Sequence, residues 1–142
     1  MHANVTLKPR EFVMALSSAA LGGFCGTLLR DLLTSLEHLP SPTLNSVTWP
    51  QEIPWMLLGI NVVGAFLATR LLRGPLRHHD PNDRTRILVI TGFFGGLTSY
   101  SGLFLSLSAL WHVCVGGCLA VAAGAVLSGV LAGWLGLMRF RR

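Results

Sequence analysis

Four long stretches of the chain contain no charged residue, and short polar or basic segments separate them. An apolar helix of roughly 20 residues crosses the hydrocarbon core of a bilayer. The second stretch is the shortest, and it reaches this length with its flanking Pro54, Leu71 and Leu72. The pattern therefore predicts four transmembrane helices. The charge-free stretches cover residues 12–29, 55–69, 87–111 and 113–138.

The turn signals between these stretches set the bounds of the predicted helices. Four prolines within residues 34–54 predict an irregular loop, Gly74 and Pro75 end the second helix, and 80–83 is a turn signal. Trp111 and His112 predict a tight turn at the membrane interface. The result is a single four-helix transmembrane domain over residues 1–142, with helices at about 12–33, 55–73, 87–110 and 113–138.

The third stretch is interrupted at its centre by small and polar residues. Residues 92–104 carry four glycines, a threonine and two serines, where a lipid-facing helix would carry leucine and valine. Backbone that leaves the helix inside a membrane persists only where protein buries it or where it lines a polar path. We therefore predict that the third helix is broken around 95–102, near mid-membrane, and that the break is a functional site.

Basic residues are concentrated on one side of this four-helix topology. Of the eleven lysines and arginines, only Arg30 falls on the opposite side from the other ten. Cytoplasmic loops of membrane proteins carry such an excess, so both termini are expected in the cytoplasm and the protein in the plasma membrane, as a multi-pass protein. The net charge of +5 is thereby explained by topology, and nucleic acid is not an expected partner.

Composition leaves little room for catalysis. Only 12% of the residues are charged, against about 25% in soluble domains. We find no nucleophile paired with a base and no soluble catalytic domain, so an enzyme is not expected. Cys114 and Cys118 lie four residues apart with His112 nearby, which leaves two interpretations open: a metal site, or small buried residues.

Glycines and other small residues recur at four-residue spacing in all four stretches, a pattern that lets helix backbones approach closely in lipid. These pairs are Gly22 and Gly26, Gly64 and Ala68, Gly92 and Gly96, and Gly129 and Gly133. Four short helices packed this tightly enclose little space, so a pore is expected to need a second subunit.

Few polar groups within the predicted spans could contact an ion. They are Asn61, the residues Thr98, Ser99, Tyr100 and Ser101 at the break, and Arg30 with Asp31 at the end of the first helix. A buried amide such as Asn61 requires a hydrogen-bonding partner, which could be another helix or a passing anion. No acidic residue lies within a span, which disfavours proton-coupled cation transport.

Four segments of the chain, in order and spacing, resemble the small double-barrelled fluoride channels, the Fluc or CrcB family. The segments are GGFCGTLLR at 22–30, GINVVGAF at 59–66, GFFGGLTSYS at 92–101 and GVLAGWLG at 129–136. The resemblance implies an antiparallel dimer with two pores at the interface. It also implies a structural Na⁺ on the dimer axis, held by the backbone carbonyls of Gly95 and Thr98.

The same resemblance assigns roles in the anion path. Asn61 would be the pore-lining donor, Arg30 would attract anions at a vestibule, and the ring edge of Tyr100 would face fluoride beside the hydroxyls of Thr98 and Ser101. The chain departs from the family pattern at four positions. Leu103 replaces a second phenylalanine, Ser106 an acidic residue, and Val121 and Ala125 a tyrosine and a serine.

Together these observations predict a subunit of a fluoride-selective channel that exports cytoplasmic fluoride passively. The charge bias makes insertion in one orientation the expectation, so an antiparallel dimer would need an oppositely oriented paralogous partner. One alternative is a non-conducting subunit that only stabilises this partner, as the losses at Leu103, Val121 and Ala125 would suggest. A small multidrug-type transporter is the other, and it predicts a glutamate in helix 1, where none is present.

Overall fold

The computed structural model describes residues 9–37, 53–74, 76 and 84–138. Its helices are α1 (Pro9–Glu37), α2 (Trp55–Arg73), α3 (84–97), α4 (Tyr100–Val113) and α5 (Val115–Leu137). No strand occurs among these residues, and four helical segments are long and apolar enough to cross a membrane. The prediction of an all-α membrane protein with a broken third span is confirmed. Residues 38–52 of the predicted loop, the turn at 80–83, Lys8 and the C-terminal arginines at 139, 141 and 142 lie outside the described residues.

Helix α1 is longer than the charge pattern indicated. It begins at Pro9, because proline favours the first turn of a helix, and it continues past Arg30 and Asp31 to Glu37. In its last turns the hydroxyls of Thr34 and Ser35 donate to carbonyls three or four residues earlier, at 2.7–3.2 Å. Charge marks where a chain leaves hydrocarbon, and a helix can extend beyond that level into the headgroup region.

The first half of the third span winds differently from an ordinary α-helix. Within α3, the eight residues Ile87–Phe94 are π-helical, between short α-helical turns at Arg84–Arg86 and Gly95–Leu97. A π-helical segment of this length is rare, and such segments occur frequently at functional sites. The break that follows is short: only Thr98 and Ser99 separate α3 from α4.

The turn predicted at Trp111 and His112 lies slightly later. Both residues belong to α4, and the chain reverses at Cys114, which has an extended backbone and precedes α5. The Sγ of Cys114 accepts a hydrogen bond from the Gly117 N–H at 3.3 Å and so caps α5, while the Cys118 thiol donates to the Leu107 carbonyl at 3.4 Å. Cys114 thus serves as a helix cap and Cys118 as a buried core residue.

The break allows the two halves of the third span to join two different hydrophobic clusters. Phe94 and Leu97 of α3 pack with Ile60 of α2 in one cluster. Leu103 and Leu107 of α4 pack in the other, against Leu57 of α2 and against Cys118 and Ala125 of α5. Helix α2 therefore spans both clusters and connects the two halves of the bundle.

Glycines bring the backbones of α1 and α3 into direct contact. A Cβ atom added at Gly22 would collide with the Leu88 carbonyl oxygen, and one at Gly26 with the Phe93 carbonyl oxygen. From the other side, a Cβ at Gly96 would collide with the Gly23 carbonyl oxygen. The close approach predicted from the four-residue spacing is confirmed for these glycines, and it holds α3 directly against α1.

Gly26→Ala is expected to destabilise the protein, because the added methyl group meets backbone that cannot rotate away. Overpacking of this kind costs about 1–3 kcal/mol. Thermal unfolding in detergent, followed by the loss of the monodisperse species on size exclusion, measures the change. Gly116→Ala is the matched control, since nothing lies within 4 Å of its Cβ position. Equal stability of the two variants would contradict the backbone contact.

Candidate functional site

Thr98 ends the first half of the broken span. Its backbone, at φ −93° and ψ 86°, leaves the helical region. Both its N–H and its hydroxyl donate to the Phe94 carbonyl oxygen, at 2.8 and 2.7 Å. One threonine thus supplies two hydrogen bonds to the same acceptor, which holds the end of α3 in place. Because the Thr98 hydroxyl already donates to Phe94, its proton is not available to an anion.

Ser99 begins the second half. Its Oγ accepts a hydrogen bond from the Gly102 N–H at 3.4 Å, as the N-cap of a helix does, and lies 2.7 Å from the Ser101 Oγ. Because one hydroxyl donates to the other, one proton of the pair is left over for another acceptor. The break therefore joins the negative C-terminal end of α3 to the positive N-terminal end of α4.

Arg30 extends from α1 to the same break. Its Nη1 donates to the Gly96 carbonyl oxygen at 3.5 Å, while Nε and Nη2 donate to Asp31 Oδ1 at 3.2 and 3.0 Å. The Arg30 side chain is 19% exposed, whereas that of Asp31 is 62% exposed. A positive charge is therefore held at the C-terminal end of α3, where the helix dipole favours it.

Two backbone carbonyls at the break belong to the residues that the family resemblance assigns to Na⁺. Thr98 lies outside both helices, and among the described residues no backbone N–H donates to its carbonyl. Gly95 is exposed, and the space beyond its Cβ position is open. Carbonyl oxygens are hard ligands of the kind that alkali and alkaline-earth cations accept, so the chemistry of these two residues is compatible with the implied Na⁺ role.

Asn61 is a buried polar residue of α2, next to Ile60, which packs against Phe94 and Leu97 just before the break. Its side chain is 4% exposed, and neither Nδ2 nor Oδ1 has a hydrogen-bonding partner in the described chain. Gly64, three residues later and so on the same face of α2, contacts the Thr98 methyl group. Buried polar atoms are rarely left unpaired, which makes the anion interpretation stronger than an interhelical hydrogen bond.

Tyr100 connects the break to the last helix. Its side chain is 42% exposed, and its hydroxyl lies 2.8 Å from the position that a Cβ at Gly129 would occupy. A side chain at 129 would therefore displace the phenol. The sequence predicted Gly129 as a packing residue. In the structure, the absence of a side chain at Gly129 leaves space for the Tyr100 hydroxyl.

Comparison with known proteins decides the family. The family model described as CrcB-like protein, Camphor Resistance (CrcB), matches residues 17–137. The chain belongs to the CrcB-like family. A protein of Stutzerimonas stutzeri (strain A1501), named "Fluoride-specific ion channel FluC", is 36% identical over 124 residues, which cover 84% of this chain and 91% of that protein.

Two further CrcB-family relatives match at similar levels. "Fluoride-specific ion channel FluC 1" of Cutibacterium acnes (strain DSM 16379 / KPA171202) is 34% identical over 125 residues, with 78% of each chain covered. "Fluoride-specific ion channel FluC" of Rhizobium leguminosarum bv. trifolii (strain WSM2304) is 33% identical over 125 residues, covering 84% of this chain and 92% of that one. The resemblance seen in the four sequence segments is thus confirmed over most of the chain.

Of the four positions that depart from the expected pattern, Leu103 and Ala125 are buried, whereas Ser106 and Val121 are half-buried. Leu103 is 1% exposed, and Ala125 lies in the same cluster, with Val121 packed against it. Ser106 donates within its own helix, to the Gly102 carbonyl at 3.1 Å. Phe104, one position after Leu103, is exposed instead. In this chain α4 therefore turns a leucine rather than an aromatic ring toward α2 and α5.

Several features of the site have no distinct sequence signal. The Arg30–Gly96 contact, the Ser99 cap and the room made by Gly129 all depend on how two separate helices align. The lack of a partner for Asn61 depends on every neighbour of that residue. A Ser-x-Ser pair followed by an apolar run was the one signal that could have predicted the helix start at Ser99.

Asn61→Leu is expected to leave the thermal stability unchanged or to raise it, because removing an unpaired buried amide relieves a desolvation cost of about 1–3 kcal/mol. Thermal unfolding in fluoride-free buffer measures this. Ser18→Ala is the control, since the Ser18 hydroxyl donates to the Met14 carbonyl at 2.8 Å within its own helix. If Asn61→Leu and Asn61→Ala both lower stability, Asn61 holds the helices together by a hydrogen bond and the anion role fails.

Proposed function

We propose that this CrcB-family chain is a subunit of a fluoride-selective channel, through which cytoplasmic fluoride leaves the cell passively. The observation that carries the proposal is the unpaired amide of Asn61 beside the helix break. The names of the relatives, all fluoride-specific ion channels, support the same conclusion. They also favour a channel over an enzyme and over a multidrug-type transporter.

Anion passage requires donors that replace part of the hydration shell. The Asn61 Nδ2 supplies two N–H donors and nothing in the described chain competes for them. The proton left over by the Ser99–Ser101 pair adds a third. The Tyr100 ring offers its electropositive edge. Thr98 contributes through its backbone, because its hydroxyl is already bonded to Phe94.

Arg30 has two parts in this proposal. Its charge attracts anions at the vestibule, and its hydrogen bond to Gly96 fixes the end of α3. Asp31 offsets some of the charge, which keeps the anion attraction modest and allows fluoride to leave again.

We further propose that Na⁺ bound by the Gly95 and Thr98 carbonyls joins two antiparallel subunits on their common axis. Bound there, the ion would supply a positive charge between the C-terminal ends of two α3 helices. Two observations support this assignment: in the described chain no backbone N–H donates to the Thr98 carbonyl, and Gly95 is exposed with open space beyond its Cβ position.

The charge bias supports an oppositely oriented paralogue as the second subunit. Arg10 and Arg84 line one depression and Arg73 and Arg86 another, which places the starts of α1 and α3 and the end of α2 together. A positive end of this kind orients toward the cytoplasm, so two copies would insert in parallel. The name "FluC 1" of two relatives hints at a second such chain in those organisms.

A second candidate is a subunit that stabilises its partner without conducting. The burial of Leu103 favours it, because a leucine that is 1% exposed within the core lines no path through the subunit. The two candidates differ in Asn61: a conducting subunit needs its amide, and a purely structural one does not.

Fluoride efflux from liposomes, read by an ion-selective electrode with chloride efflux as reference, tests the function. The chain is reconstituted alone and together with a CrcB homologue of opposite charge bias. We expect fluoride-selective efflux from the pair, and a decrease of roughly 10- to 100-fold for Asn61→Ala, since a hydrogen bond to a charged group is worth about 1.5–3 kcal/mol.

Ser18→Ala is again the control and should conduct normally. Efflux from the pair that Asn61→Ala does not alter would mean that this chain lines no working pore. Fluoride-selective efflux from the chain alone would refute the requirement for a paralogous partner.

Gly95→Ala tests the assembly separately from conduction. Within the subunit the new methyl group meets open space, so we expect the thermal stability of the isolated chain to be unchanged. In the assembled pair, we expect the same substitution to crowd the axis and to abolish the thermal stabilisation by Na⁺ relative to N-methylglucamine. Size exclusion with light scattering gives the oligomeric state. Unaltered assembly and an unaltered Na⁺ effect would place the dimer axis elsewhere, and Gly116→Ala serves as the control.

A further inference from the structure

The basic end of the bundle carries two separate depressions with different chemistry. One, here called the arginine notch, has a volume of about 410 Å³ and lies where α2 and α5 end and α3 begins. Its lining residues are Leu72, Arg73, Leu76, Arg86 and Leu137. The other depression, of about 440 Å³, lies between the starts of α1 and α3 and is lined by Arg10, Glu11, Met14 and Arg84.

The arginine notch has the composition of a phosphate site at a membrane surface. Two guanidinium groups come from different helices, and none of the described residues that line the notch is acidic. Arginine presents paired N–H donors that match phosphate oxygens. Three leucines complete the lining and offer apolar surface to a glycerol backbone and the upper part of an acyl chain. In the second depression Glu11 offsets the two arginines.

The position of the notch identifies the source of the phosphate. Arg73 ends the membrane-spanning α2, and Leu137 ends the membrane-spanning α5, so the notch opens at the headgroup level. Phospholipid is present there at a much higher local concentration than any soluble phosphate. Basic pockets between transmembrane helices on the cytoplasmic side bind anionic lipid headgroups in other proteins.

We propose that the arginine notch binds the headgroup of one anionic phospholipid, with Arg73 and Arg86 on its phosphate and the leucines against its glycerol and acyl chain. Such a lipid would connect the end of α2, the start of α3 and the end of α5 at the membrane surface. The proposal does not depend on fluoride conduction. It also differs from a general attraction between the basic end and anionic lipids, to which all arginines of this end would contribute equally.

Lipid titration of the full-length protein in its purified, assembled state tests the site. Native mass spectrometry yields apparent dissociation constants for phosphatidylglycerol and phosphatidylcholine. We expect phosphatidylglycerol to bind at least tenfold more tightly. The double variant Arg73→Gln/Arg86→Gln should lose roughly 30-fold in phosphatidylglycerol affinity, since each surface arginine contributes a factor of roughly five to anionic lipid binding.

The charge-matched control is Arg10→Gln/Arg84→Gln, which removes two arginines from the same end but from the depression that contains Glu11. It should retain phosphatidylglycerol affinity within about threefold. Equal losses in the two double variants would show diffuse attraction and overturn the site. Displacement of the lipid by an equal concentration of inorganic phosphate would show a free-anion site instead.

A second measurement protects the test against misfolding of the double variant. Leu76→Glu leaves both arginines in place and introduces a carboxylate into the notch. It should lower phosphatidylglycerol affinity at least fivefold while phosphatidylcholine affinity stays unchanged. Equal affinity of the wild-type protein for the two lipids would refute the proposal without any variant.

Discussion

The structure depends on one constraint: peptide groups released by a helix break inside a membrane must find partners within the protein. Thr98 donates two hydrogen bonds to the Phe94 carbonyl at the end of α3. Ser99 caps α4 by accepting a hydrogen bond from the Gly102 N–H. Helix α1 supplies a third support. Its glycines let its backbone lie directly against α3, and its Arg30 donates a hydrogen bond to the Gly96 carbonyl. The break is thus held from three sides.

Holding the break in this way divides the third span into parts with separate tasks. The π-helical α3 packs on α1 and forms one hydrophobic cluster, whereas α4 packs on α5 and forms the other. Because α2 contacts both clusters, its Asn61 lies where the two halves meet. A continuous helix in the third span would bury the same apolar side chains, yet it would provide no helix N-terminus at this depth and would pair the Thr98 carbonyl with a backbone N–H. The two helix ends at the site are therefore a product of the break.

The sequence predicted the elements well where the signal was local. Charge-free stretches located the spans, and the glycine, threonine and serine residues of 92–104 located the break. The signal failed where the cause was not local. Helix α1 extends to Glu37, beyond the predicted end at about residue 33, and no sequence motif marks the π-helical turns of Ile87–Phe94. Likewise, the sequence named Asn61 and Arg30 as candidates, but Arg30 contacts Gly96, which lies 66 positions away along the chain, and Asn61 lies on a different helix from the break.

The proposed Na⁺ and fluoride roles would bring ions of opposite charge to the same short break. Arg30 occupies the Gly96 carbonyl, which neutralises part of the negative end of α3 and places a positive charge near the outer entrance of the proposed anion path. The space beyond the Cβ position of Gly95 is open, on the surface where the proposed Na⁺ would bind. A lysine at position 30 would carry the same charge, but a single ammonium group could not bond to the Gly96 carbonyl and to Asp31 Oδ1 through a planar fork. In the proposed channel the arginine would therefore separate a cation-attracting surface from an anion-attracting one at the same short break.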